Sequence, residues 1–389
     1  MAKGIYLGID SLSRKVKKMY LGIEGVARKV KKGYIGINGI ARLFFAGGGK
    51  PVYAGETTPL PVLAARLAGA SVSKYALFAG GTRGTSLTGT PNNQVTAYDD
   101  VQVQSIPDHL NSYAVELAGC SLPNHAIFAG GEESDRQVNA YDKNLSKISP
   151  AEELEYGRGY MPTAKVGDYA VFGPGFCTEP SFVIRNFTEA YDDDMVHYQC
   201  PSVSGSDSNS RYITGAANQN YAVFSGAATL SGQATGVTKA LDADLTVTTA
   251  TPGKSSFAKS GATVGDDQYA MFVGGTGSTG NWGPHSYAYA YDNDLVFSEC
   301  EHLTEARSLA AAVSLYGTAI FAGGQISEDK GTALVETYEE DLVKGETFSL
   351  QSARYELAGA VAGDTAIIAG GYINESYAVA TTQADLIKT

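Results

Sequence analysis

The sequence is poor in the residues that build metal centres and disulfide frameworks. It has four cysteines, five histidines and one tryptophan in 389 residues. Cys120, Cys177, Cys200 and Cys300 form no CxxC pair, and four cysteines in so long a chain make no disulfide framework. They read as buried thiols. The histidines His109, His125, His197, His285 and His302 are scattered without ligand spacing, which excludes a zinc site of ordinary type. No stretch approaches the roughly 20 apolar residues of a membrane-spanning helix. The opening MAKGIYLG has no apolar signal-peptide core, so we expect a chain made and folded in a cytoplasm.

Hydrophobic residues make up 43% of the chain and charged residues 18%, a globular balance. Glycine (46) and tyrosine (24) are plentiful, as in proteins of short strands and tight turns. The net charge of −12 is unevenly spread. Residues 1–46 hold ten basic and two acidic residues, a balance of +8, and the remainder holds 19 basic and 39 acidic, a balance of −20. The acidic body would repel a phosphate backbone, so no nucleic acid is expected there.

The basic arm is a repeat. IYLGIDSLSRKVKK, MYLGIEGVARKVKK and GYIGINGIARLFF follow one another at 14-residue intervals, with Tyr6, Tyr20 and Tyr34 in step and Arg14, Arg28 and Arg42 in step. Asn38-Gly39 sits between two β-rich runs, a strong hairpin signal, and Glu24-Gly25 and Asp10-Ser11 occupy the same place. Each copy therefore predicts a small hairpin, and a lone hairpin is marginal in water. Three in series suggest an arm that orders against something else. A solvated basic linker is the plainer reading, but a linker needs no tyrosine, isoleucine and glycine in strict register.

Past residue 50 a longer period begins. YALFAGG (75–81), HAIFAGG (125–131), YAVFGPG (169–175), YAVFSGA (221–227), YAMFVGG (269–275), TAIFAGG (318–324) and TAIIAGG (365–371) recur 44 to 52 residues apart. A small-residue strand precedes each copy. A polar loop, a segment such as AYDNDL and a further β-type run follow most of them. The last copy stops after its third strand, while VYAGETTPLPVL (52–63) looks like a fourth strand without the other three. Pairing the two would close a ring and remove two open edges.

This period, with a double glycine after an apolar strand, resembles the kelch repeat of β-propellers. The resemblance implies an all-β, seven-bladed kelch-like β-propeller at residues 51–389, closed by its N-terminal strand and preceded by a β-hairpin arm at 1–50. The tryptophan usual in the fourth kelch strand is missing. The 14-residue repeats resemble the N-terminal segments of phage and prophage structural proteins of Gram-positive bacteria, best over residues 19–32. That likeness implies a virion or tail-appendage protein assembled in the bacterial cytoplasm in multiple copies per particle. Its arm, through Tyr6, Arg14, Tyr20, Arg28, Tyr34 and Arg42, would join other virion proteins. The propeller would meet a bacterial surface receptor or glycan.

Within the body no set of residues announces catalysis, and no cofactor is expected. The acidic turns around Asp192, Asp242 and Asp292 lack the glycine and distal glutamate of a calcium loop and recur where a hairpin must turn. The loops after the second strands are long and unlike one another, which is where binding surfaces are usually built. They carry Arg83, Phe182, Asn281, Trp282 and His285, and we expect these five on one face. Trp282, in GGTGSTGNWG, is either a packing plug or a contact for sugar or protein. Two other readings stay open: a propeller enzyme acting on surface glycan, and an intracellular kelch scaffold.

Overall fold

Each long repeat folds as an antiparallel meander. The computed structural model describes residues 6–389 except 10–11, 16–18, 24–25, 31, 38–39, 47–48, 86–88, 132–134, 149–151, 178–181, 205–209, 266, 278–282 and 374–378, and over residues 6–46 it describes the backbone strands alone. The chain divides into two compact units, residues 1–50 with Thr389 and residues 51–388. In the first, Tyr6–Ile9 pairs with Leu12–Lys15, Met19–Ile23 with Val26–Val30, and Lys32–Ile37 with Ile40–Ala46. Leu7 faces Arg14, Leu21 faces Arg28 and Ile35 faces Arg42, so the register repeats with the sequence.

The second unit contains six four-stranded sheets and one seven-stranded sheet. In chain order the first five start with the inner strands Ala68–Val72, Ala118–Ser121, Thr163–Val166, Thr214–Ala217 and Ser260–Val264. The seven-stranded sheet starts with Ala311–Leu315, and the last sheet with Ala358–Ala362. Each inner strand packs against the inner strand of the next sheet, and the last packs against the first. The sheets therefore surround an axis, and the unit is a β-propeller.

Burial follows strand position. In the second strands, such as Tyr75–Ala79 and Thr365–Ala369, almost every residue is buried, because neighbouring sheets cover both faces. Inner strands alternate buried and half-buried residues. Their glycines let the sheets converge. A Cβ on Gly69 would stand 2.4 Å from the Gly359 carbonyl oxygen, and one on Gly261 would stand 2.2 Å from that of Gly215.

The ring closes through Val52–Glu56. This strand pairs antiparallel with Ala384–Lys388, setting Val52 opposite Lys388 and Tyr53 opposite Ile387. The tight turns between third and fourth strands are made by aspartate. The Oδ1 atoms of Asp99, Asp142, Asp192, Asp242 and Asp292 each accept the backbone N–H groups two and four residues on, at 2.8–3.0 Å. These carboxylates hold their own turns.

One sheet departs from the expected four-strand unit. Its outer strand, Lys344–Tyr355, runs 12 residues without interruption, and its end, Arg354–Tyr355, pairs with Tyr372–Ile373 of the following repeat. Pro59, Pro107, Pro201 and Pro252 stand in four of the other connectors, where each removes a donor from the ladder. Lys344–Tyr355 has no proline, so its pairing carries on into the next unit's loop.

Candidate functional site

The axial rim on the loop face gathers the most chemistry among the described residues. Just before each inner strand, one residue takes a left-handed conformation: Arg66, Glu116, Tyr160, Tyr212, Ala258, Leu309 and Glu356, with φ between 51° and 58°. None is glycine, so each position stores strain of about 1–3 kcal/mol. Backbone hydrogen bonds hold them. The N–H groups of Arg66, Glu116 and Tyr160 donate to the carbonyls of Glu356, Arg66 and Glu116 at 2.9–3.2 Å, and those of Ala258, Leu309 and Glu356 to Tyr212, Ala258 and Leu309 at 3.1–3.3 Å. Only this shared conformation turns the same position of every repeat toward its neighbour.

The rim has unlike arcs. On one side Arg66 Nε lies 2.6 Å from Glu356 Oε2 and 3.2 Å from Glu116 Oε1. Burial disfavours the charge on Arg66, but Glu356 and Glu116 outweigh it and raise its pKa. Burial also lifts the Glu356 carboxyl above the usual carboxylate range, against the pull of Arg66. Behind them Tyr355 packs on Tyr372 at 5.6 Å and donates its hydroxyl to Asp329 at 3.3 Å.

The neighbouring arc is aromatic. Tyr160 stacks on Phe176 at 4.4 Å and meets Tyr212 edge-on at 5.4 Å, and Tyr212 stacks on Phe257 at 5.7 Å. Phe182, 44% exposed, leans on Phe176 at 5.2 Å. The Arg211 guanidinium lies 5.4 Å from the Phe182 ring centre and 5.5 Å from that of Tyr212. The loop after the second strand of this sheet builds the platform, because its ends form a small hairpin, Gly175–Cys177 with Val183–Arg185.

Beyond Tyr212 a buried lysine takes the place of the aromatic residues. Lys259 is 6% exposed, its Nζ donates to the Ser256 carbonyl, and among the described residues it has no carboxylate partner. Burial pushes its pKa down to about 7. His285 nearby is also lowered, by burial and then by Lys259. The His285 ring stacks on Tyr287 at 4.7 Å and its backbone N–H donates to Gly275.

Of the five expected loop residues, the structure describes three. Phe182 joins the aromatic arc. Exposed Arg83 ends the two-residue strand Thr82–Arg83, and half-buried His285 lies in another sheet's loop. The three sit in loops of different sheets. Asn281 and Trp282 lie outside the described residues. The side chains of Tyr6, Arg14, Tyr20, Arg28, Tyr34 and Arg42 do so as well. The sequence reading passed over Arg66, Glu116, Tyr160, Tyr212, Arg211 and Glu356. A signal was available: one residue of changing character recurs directly before the small-residue strand, as in RLAGASV and ELAGCSL.

Among the described residues no group of histidine, cysteine and carboxylate side chains is placed to hold a metal ion. The four thiols are free. Burial pushes Cys120, Cys200 and Cys300 up to about 11, away from reactive thiolate. No helix among the described residues is long and apolar enough to cross a membrane.

No family model matches the chain, and no curated protein matches it significantly. Among solved structures, that of YjhT is similar with a TM-score of 0.58 at 11% identity, covering 75% of this chain and 99% of that one. The likeness is one of fold. At this identity the β-propeller is shared, and nothing about ligand or activity follows.

Proposed function

We propose that this protein is a phage-type virion appendage, with an N-terminal arm that attaches it to other virion proteins and a kelch-like propeller that binds glycan on a bacterial surface. In this reading the seven-stranded sheet counts as the seventh blade. The observation that carries the binding half is the divided axial rim. The exposed ring of Phe182, backed by the packed rings of Phe176, Tyr160 and Tyr212, suits contact with a sugar ring, and the carboxylates of Glu116 and Glu356 suit hydroxyl donors. For the arm, the support is its three-copy hairpin register and its +8 balance, which fit docking on an acidic protein surface. Assembly takes place in the bacterial cytoplasm, and particles carry several copies.

The test separates the two halves. A chain lacking residues 1–46 should fold and bind bacterial cell-wall glycan, yet stay out of assembled particles. Incorporation of the truncated chain at normal copy number would refute the arm's role. Failure of both full and truncated chains to bind any cell-wall preparation would refute the propeller's.

One observation favours a second reading, a glycan-processing enzyme. Glu356, with its raised pKa, and Glu116 flank one arginine, which resembles a pairing of proton donor and acceptor. Incubating the protein with surface glycan and weighing the products distinguishes the readings, since a binding module leaves the mass distribution unchanged.

A further inference from the structure

We propose that the bound glycan carries oxyanions, carboxylate or phosphate, and that Arg211 recognises them. This rests on the glycan-binding reading above and names its substrate class.

Four arginines of the body are paired with carboxylates. Arg158 and Arg307 lie 2.6 Å from Glu189 and Glu336, Arg354 is paired with Asp385, and Arg66 has two glutamates. Acidic residues outnumber basic ones two to one in the body, so a guanidinium finds a carboxylate easily. Arg185 and Arg211 have none among the described residues, and each leaves its Nε buried without a hydrogen-bond partner; Arg185 lies over Tyr156, whereas Arg211 lies over Tyr212 of the rim. Leaving such a donor unmet is costly, and a ligand acceptor would remove the cost.

Its placement fits that role. The backbone is fixed by reciprocal hydrogen bonds with Ala228, at 3.0 Å and 2.8 Å. Phe182 and Tyr212 hold the guanidinium by their rings. The in-plane donors of an arginine match the two oxygens of a carboxylate or phosphate. Tyr212 also belongs to the rim, and Phe182 is exposed beside it, so a sugar ring lying against Phe182 would bring its acidic substituent to Arg211. The glutamates of the neighbouring arc would repel that substituent and fix the ligand's direction.

The experiment is calorimetric titration of the full chain with maltotriose, a phosphorylated maltotriose and trigalacturonate. An acidic probe should bind at least about tenfold tighter than maltotriose, the worth of one charge-assisted contact. That advantage should shrink as salt is raised, and the two acidic probes tell phosphate from carboxylate. Arg211→Gln should abolish the advantage, while Arg211→Lys, which keeps the charge but not the fork, should keep part of it. Equal affinity for neutral and acidic probes would overturn the proposal and leave glycan binding standing. Preference that persists in Arg211→Gln would overturn it too. Binding of none of the three overturns the proposal, and cell-wall glycan then decides the broader reading. Should Arg211→Gln fail to fold, a salt-independent acid preference in the unaltered protein is the refuting result.

Discussion

Replacing Lys259 by methionine should stabilise the propeller at neutral pH, and the gain should fade as pH rises. The folded-state pKa is about 7 against an ordinary value of 10.5, because the ammonium is buried with only the Ser256 carbonyl as a described acceptor. At about 1.4 kcal/mol per pKa unit, carrying the charged form into the fold costs roughly 4–5 kcal/mol. Methionine removes that cost but leaves the Ser256 carbonyl without its donor, worth about 1–3 kcal/mol. The net gain is then about 1–4 kcal/mol below neutral pH. The sign follows from proton binding. Between about pH 7 and 10.5 the unfolded chain holds the Lys259 proton and the folded chain has released it, so the unaltered protein gains stability with pH across that window. The variant lacks this slope. Urea unfolding followed by circular dichroism at pH 7, 8, 9 and 10 gives the difference between the two proteins, from which shared effects of the acidic surface cancel. His285 is lowered from 6.5 and titrates below this range. A difference that stays flat with pH, or a variant less stable at pH 7, would show that Lys259 is not buried as a neutral amine.

Two further outcomes follow from packing. Arg307→Met should lower stability by about 3–5 kcal/mol, because Glu336 stays buried with its Oε2 stripped of the guanidinium while Lys344 and the Thr304 N–H hold only Oε1, whereas Arg307→Met with Glu336→Leu should recover most of the loss; thermal melts of the three proteins check this, and equal losses in both variants would refute the pairing argument. Deleting residues 51–56 removes the strand that covers Ala384–Lys388, along with the Tyr53 hydroxyl that donates to the buried Asp385 at 3.1 Å. The exposed edge should drive aggregation on heating, and light scattering indistinguishable from that of the intact chain would refute closure by this strand.

What the sequence discloses depends on whether a position is specified by composition or by backbone shape. The second strands were legible because sheets on both sides force every residue to be apolar, and YAMFV repeats that demand unit after unit. The aspartate turns were legible because one side chain must satisfy two backbone donors, and aspartate does so at five of them. The rim was not legible in that way. Arg66, Tyr160, Ala258 and Glu356 share a φ near 55° and no chemistry, so no residue type marks them. Rarity instead drew notice to Trp282.

The buried arginines did leave a trace, in spacing rather than identity. Arg158 and Glu189, Arg307 and Glu336, and Arg354 and Asp385 lie 29 to 31 residues apart, the distance from the connector before an inner strand to the third strand of the same sheet. Where that carboxylate is missing, the arginine is missing too. In the fifth sheet Tyr289 occupies the position of Glu336, Ser256 that of Arg307, and the hydroxyls of Ser225, Thr238, Tyr289 and Tyr291 bond to one another instead. Lys259 reaches back to Ser256 in that sheet. An arginine keeps its proton and so requires the carboxylate, while a lysine can give its proton up. One rule, that a buried cation must be paired or discharged, therefore accounts for arginine in three sheets and for the lowered lysine in this one.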